Sequence, residues 1–286
     1  MSYRIVTDTC CDFPNEMYAD LNVSVVPLTL NFRGQEHNSF SEEFMKDMYA
    51  GMRDGESGST AAVNPEGWAG AMEPILQAGE DVLVLAFSSG LSTTYQSAVI
   101  AATELSEKYP ARKIYVVDTL CASLGQGLLV WYACKKRDEG MSLEDLTAWC
   151  EDNKLNLCHW FTVDDLIYLK RGGRVSAATA LVGTMLQIKP VMHVDDEGHL
   201  TKVTTARGRK ASLNALAAKM GETALPGAND TVFICHGDCM DDAQYLADLV
   251  KNKYGVKEVF IYYTGAVIGS HSGPGTMALF YLGSAR

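Results

Sequence analysis

The chain has 286 residues, of which 47% are hydrophobic and 21% charged, so it can bury a substantial core and is neither disordered nor fibrous. Acidic residues outnumber basic ones 35 to 24, and the resulting net charge of −11 repels phosphate backbones, which argues against nucleic acid as a partner. Met1-Ser2-Tyr3-Arg4 opens no secretory signal, and no apolar stretch approaches the ~20 residues of a membrane helix, so the expected location is cytoplasmic.

In chain order, the apolar runs 3–7 and 24–30 predict strands, and 41–52 predicts a helix with Phe44, Met48 and Met52 on one face. A loop at 58–64, containing the Thr60 hydroxyl, leads into a helix near Pro65. Strands are expected at 81–87 and 113–117, with an amphipathic helix at 92–109 between them that repeats Tyr95, Val99, Ala102 and Leu105. Strand, helix, strand implies a parallel sheet. Helices follow at 124–139 and 142–152, the latter opened by Ser142 and Asp145 at capping-box spacing.

From about residue 157 the pattern changes, which predicts a second domain and a division into 1–156 and 157–286. Strand 158–163 precedes a short helix at 164–170 and an apolar helix at 181–188 stopped by Pro190. A hairpin of 191–194 and 200–205 turns at Asp195-Asp196-Glu197-Gly198. Helix 208–221, strand 231–235, helix 241–254 and strand 258–262 come next, and 265–275 is a glycine-rich loop. The expected fold is therefore two α/β domains, the first with a mainly parallel sheet flanked by helices, the second with a mixed sheet.

Eight cysteines at 10, 11, 121, 134, 150, 158, 235 and 239 lie mostly in apolar patterns and read as buried thiols rather than disulfides. Cys235-His236-Gly237-Asp238-Cys239 has ligand-type residues but nothing nearby to complete a tetrahedral set, so no metal is expected.

Four segments carry candidate chemistry. The turn Ser88-Ser89-Gly90-Leu91-Ser92-Thr93-Thr94 joins a buried strand to a helix, where free amides and the helix dipole favour an anion. No cation stands beside it, which suits a carboxylate held by neutral donors; ordinary N-capping by Ser92 or Thr93 is the simpler alternative. His271 stands among Gly269, Gly273 and Gly275, where the backbone can approach a ligand closely. Two basic segments, Lys170-Arg171-Gly172-Gly173-Arg174 and Arg207-Gly208-Arg209-Lys210, could dock an acidic partner or simply cap helices.

These landmarks together resemble the DegV family, whose members include the fatty acid-binding FakB proteins that serve bacterial fatty acid kinase. The resemblance runs through Thr7-Asp8-Thr9, Asp12-Phe13-Pro14, Ser88 to Ser97, Val117-Asp118-Thr119 and Ser123-Leu124-Gly125-Gln126-Gly127. It continues through Gly172-Gly173-Arg174, Ile188-Lys189-Pro190 and Arg207 to His271-Ser272-Gly273-Pro274-Gly275. It implies a carrier, not an enzyme, that takes one long-chain fatty acid as ligand and needs no cofactor. By the resemblance, the tail enters an apolar tunnel and the carboxylate, held between the domains, meets Thr60, Ser92, the Thr93 amide and His271. Arg174 and Arg207 would meet the fatty acid kinase, which phosphorylates the carboxylate for phospholipid synthesis. A monomer with transient membrane-surface contact is the expected state. The chain departs from the family at Thr93, where glycine is usual, and at Ala61, Ala62 and Val63, where serine, glutamine and proline are usual.

Two rivals remain open at this stage. One is a serine hydrolase of acyl esters built on Ser92, His271 and Asp118, although the segment lacks the Gly-x-Ser-x-Gly elbow. The other is a carrier of a different small carboxylate with no kinase partner.

Overall fold

The computed structural model describes residues 2–176 and 187–286, and its first sheet has four parallel strands in the order β2-β1-β6-β7. They are β1 (Tyr3–Asp8), β2 (Val23–Val26), β6 (Asp81–Ala86) and β7 (Ile114–Asp118). Side chains alternate across it. Val6, Val82, Val84 and Ala86 face α3 (Pro65–Gln77) and α4 (Thr94–Lys108), whereas Ile5, Leu83 and Leu85 face α5 (Leu124–Asp138) and α6 (Leu143–Asn153). Both faces are covered, which is why β6 and β7 read as apolar runs, Val82 to Ala86 and Ile114 to Val117. Ser142 caps α6, its hydroxyl accepting from the Asp145 amide at 3.1 Å, as the capping-box spacing predicts.

The predicted strand 24–30 is broken in two. Pro27 has no amide to donate, so β2 stops at Val26, and the chain starts again as β3 (Thr29–Phe32) in a separate antiparallel sheet with β4 (Gln35–His37) and β5 (Ser59–Ala61). This small sheet holds Thr60 opposite Leu30. Over it lies α2 (Glu42–Arg53), whose buried stripe is Met45, Met48, Tyr49 and Met52, with Phe44 at its border rather than in it. A short helix, α1 (Asn15–Asp20), has no counterpart in the predicted elements.

The second large sheet has six strands in the order β10-β9-β8-β13-β11-β12, mixed in direction. It comprises β8 (Leu157–Thr162), β9 (Ile188–Val194), β10 (Leu200–Arg207), β11 (Thr231–His236), β12 (Glu258–Tyr263) and β13 (Met277–Leu282). Its outer face, with Cys158, Trp160, Ile234, Leu279 and Tyr281, packs on α8 (Arg209–Thr223) and α9 (Met240–Tyr254). Its inner face, with Phe161, Phe233, Cys235, Ala278 and Phe280, shares one core with α5. Helix α5 thus lies between the two large sheets. All the described cysteines are free thiols.

Two sequence expectations change here. Residues 265–275 are not all loop, since α10 (Ala266–Ser272) forms within them. The run 277–282, absent from the predicted elements, is β13, a central strand of the sheet. The predicted helix 181–188 lies outside the described residues except for its last two, and of these Ile188 opens β9. The short helix predicted at 164–170 is α7 (Ile167–Arg171).

Candidate functional site

A cavity of about 570 Å³ lies between the inner face of the six-stranded sheet and the loops and helix starts of the parallel sheet, within the usual range of small-molecule sites. Its apolar wall includes Phe161, Val194, Leu200, Ala278 and Phe280. Thr60, Ser92, Thr93, Arg174 and His271 line the same cavity. Four distant stretches of chain therefore converge on it.

Each reaches the cavity for a local reason. Thr60 projects from β5. Ser92 and Thr93 close the turn that follows β6, and α4 begins at Thr94 rather than at the predicted 92. The Ser92 hydroxyl accepts from the Thr94 amide at 3.2 Å and shares a 2.8 Å hydrogen bond with the Thr94 hydroxyl, a turn one residue ahead of the helix, while Thr93, the N-cap residue, makes no side-chain capping bond. Thr93 is exposed at the helix start, where first-turn amides lack intrahelical acceptors.

His271 sits in α10, half-buried. Its Nε2 lies 2.7 Å from the Thr60 hydroxyl. Its ring also packs on Gly172, where an added Cβ would come within 2.3 Å of Nδ1. Burial pushes the imidazole down to about 4, and the Arg174 charge acts in the same direction. It is therefore neutral at pH 7, able to donate or accept but carrying no charge. Gly273 and Gly275 have φ of +85° and +77°, and a Cβ on either would clash with Tyr168 or Asp164, so these two glycines let the chain turn sharply behind His271.

Arg174 lies in the cavity wall, half-buried, its guanidinium donating to the carbonyls of Leu91 (3.3 Å) and Gly172. It brings a positive charge to the mouth that its sequence neighbourhood did not predict. Arg207 is exposed at the end of β10 and does not line the cavity. The 195–198 turn closes on the 88–90 turn: the Ser88 hydroxyl donates to Gly198 O at 2.9 Å, and a Cβ on Gly90 would meet the Glu197 and Gly198 carbonyls at 2.8 Å. Arg286 ties that hairpin down, donating to Asp195 O (2.9 Å) and Leu120 O (2.7 Å).

The residues of a hydrolytic triad are not connected. Ser92 bonds to Thr94 and His271 to Thr60, while the Asp118 carboxylate accepts from the Ser89 and Leu120 amides. Among the described residues, no group of three or more potential metal ligands gathers, and no helix is long and apolar enough to cross a membrane. Several landmarks of the sequence serve the frame instead. Asp8 accepts from the Phe87 amide at 2.8 Å and Gln126 donates to Thr7 and Asp8, locking the strand ends beneath the turns. Burial raises the Asp8 carboxyl to about 6 and that of Asp12, which accepts from Ser123, to about 7.

The residues that sequence reasoning missed are the apolar walls from β8 and β13. A six-residue apolar run, Met277 to Leu282, was the available signal for the second of these.

A family model described as "Uncharacterised protein, DegV family" matches residues 2–284. A DegV domain-containing protein of Clostridium perfringens is 44% identical over 99% of this chain and 98% of its own length. Among solved structures, a DegV family protein from Thermus thermophilus, described by its fatty acid binding, is 33% identical with a TM-score of 0.87 over 99% of this chain and all of its own. A DegV lipid-binding protein from Thermotoga maritima is 28% identical with a TM-score of 0.88, both chains covered in full. Matched along nearly its whole length by the family model and by these relatives, the chain belongs to the DegV family.

Proposed function

We propose that the protein binds one long-chain fatty acid, tail in the cavity and carboxylate at Thr60, Ser92, the Thr93 amide and His271, with the halves 1–156 and 157–286 closing over it. The observation that carries this reading is the single cavity that joins an apolar wall to a mouth of neutral donors beside the Arg174 charge. Desolvating a carboxylate is costly unless donors replace water, and the mouth supplies them. Each buried methylene then contributes about 0.8 kcal/mol, which favours long chains over small carboxylates. The descriptions of the Thermus and Thermotoga relatives support the same ligand class.

His271→Ala is expected to weaken fatty acid binding by about 1.5–3 kcal/mol, roughly 10- to 100-fold, the usual worth of a hydrogen bond to a charged group. Displacement of a fluorescent fatty acid from delipidated protein measures it. Unchanged affinity would remove His271 from the head-group site.

Within this reading the carrier presents the carboxylate to a fatty acid kinase, which converts it to an acyl phosphate. Arg207 is exposed for docking, whereas Arg174 both orders the mouth and adds charge there. Arg207→Ala should leave fatty acid affinity unchanged and cut acyl-phosphate formation by a reconstituted kinase about tenfold, as loss of an interface arginine does. Equal turnover would favour a carrier without that partner.

A further inference from the structure

The guanidinium of Arg174 joins two parts of the cavity mouth. It donates to the carbonyl of Leu91, the residue before Ser92, and to the carbonyl of Gly172, whose Cα packs on the His271 ring. The cation therefore stands between the Ser92 turn and His271, close enough for its charge to act on the imidazole. It is half-buried, lines the cavity and stays charged at pH 7, yet both of those acceptors are neutral. Among the described residues no carboxylate pairs with it, whereas Arg209 pairs with Asp242 at 2.7 Å and Arg112 with Asp81 at 3.6 Å. Its Nη2 donates to none of the described residues.

The rest of the lining does not balance this charge. No Asp, Glu or Lys stands among the described lining residues, and burial keeps His159 and His271 neutral at pH 7. Arg174 is thus the one full charge on that lining. A half-buried ion that gives up water for dipoles alone is poorly compensated, and an anion beside it restores the balance.

We propose that Arg174 is the counter-ion of the ligand's carboxylate and makes the cavity selective for an ionised acyl chain over a neutral one of the same length, an inference that rests on the fatty acid reading above. A carboxylate between Ser92 and His271 takes a charge-assisted hydrogen bond from Nη2, while Thr60, Ser92 and His271 contribute neutral ones. A fatty alcohol finds the same neutral groups but leaves the guanidinium unbalanced. Arg174 then acts on the ligand from inside the cavity, unlike the exposed Arg207.

The test titrates tetradecanoic acid and tetradecan-1-ol separately into delipidated wild type, Arg174→Gln, Arg174→Met and Arg174→Lys, with binding followed by calorimetry. Both neutral variants should bind the acid about 10- to 100-fold more weakly, the usual worth of a hydrogen bond between charged partners, and the alcohol less than about threefold more weakly. Arg174→Lys, which keeps the charge, should retain most of the affinity for the acid. Thermal unfolding of each variant identifies those that are folded, and two neutral replacements guard against one that is not. Loss of the carbonyl bonds alone would loosen the mouth for both ligands alike. An equal loss for acid and alcohol, an unchanged affinity for the acid, or an Arg174→Lys variant as weak as Arg174→Gln would overturn the proposal and leave fatty acid binding standing. Failure of wild type to bind the acid would overturn fatty acid binding itself, and this proposal with it.

Discussion

Ala278→Trp is expected to lower fatty acid affinity about 100-fold or more while the protein stays folded. Ala278 sits at the centre of β13, in register with Phe161 on one side and Cys235 on the other, and its side chain points into the cavity. An indole there occupies space that the tail needs. Excluding four methylenes at ~0.8 kcal/mol each removes about 3 kcal/mol, which is a factor of more than 100. Because the added ring grows into open space, the overpacking cost stays near the lower end of the usual 1–3 kcal/mol. Fluorescent displacement and thermal unfolding measured on the same preparation separate the two effects. Wild-type affinity in this variant would show that the tail runs elsewhere.

The second large effect is on stability. Trp68→Ala should cost about 3–5 kcal/mol, the range for deleting a fully buried aromatic. Trp68 is 0% exposed in α3, packed with Met72 and Leu76 against Val6, Val84 and Ala86. Its indole N–H also donates to Thr94 O at 3.0 Å, tying the first turn of α4, and so the Ser92 turn, to the core. Stability and ligand retention should therefore fall together. Trp68→Phe, which loses the N–H and part of the ring volume but keeps a buried aromatic ring, should cost less, roughly 2 kcal/mol. Urea unfolding checks both, and a loss below 1 kcal/mol in Trp68→Ala would contradict the anchoring role.

The parallel sheet was legible because β6 is buried on both faces and so shows as a continuous apolar run from Val82 to Ala86, while β1 places Ile5 and Val6 in the cores on its two sides. Other features depend on contacts between distant residues. Pro27 signals a break between β2 and β3, but only the pairing of β3 with β5 shows that the chain has moved to another sheet. The helix α10 forms from glycine, serine and β-branched residues of low helix propensity, held by packing, including the Tyr49 hydroxyl donating to Thr264 O just before it. Strand β13 comes late in the chain yet inserts between β8 and β11, an order no local pattern encodes.

The site divides in the same way. Thr60, Ser92, Thr93 and His271 stand out as hydroxyls and an imidazole in turns rich in small residues, and the fold brings all four to one cavity. Arg174 looked like a surface charge because its inward position depends on the turn after α7 packing against α10, where Gly172 meets His271. The apolar wall was hidden for a similar reason. Whether Phe161 or Trp160 faces the cavity is decided by strand register, and a shift of one residue would exchange them.

The most direct measurement is to unfold the purified protein, extract it with organic solvent and identify by mass spectrometry what is released. Wild type should release one equivalent of a long-chain fatty acid, and His271→Ala less. An empty extract from protein shown to be folded and taken from lipid-replete cells, or release of a ligand with no acyl chain, would contradict fatty acid binding as the function of this cavity.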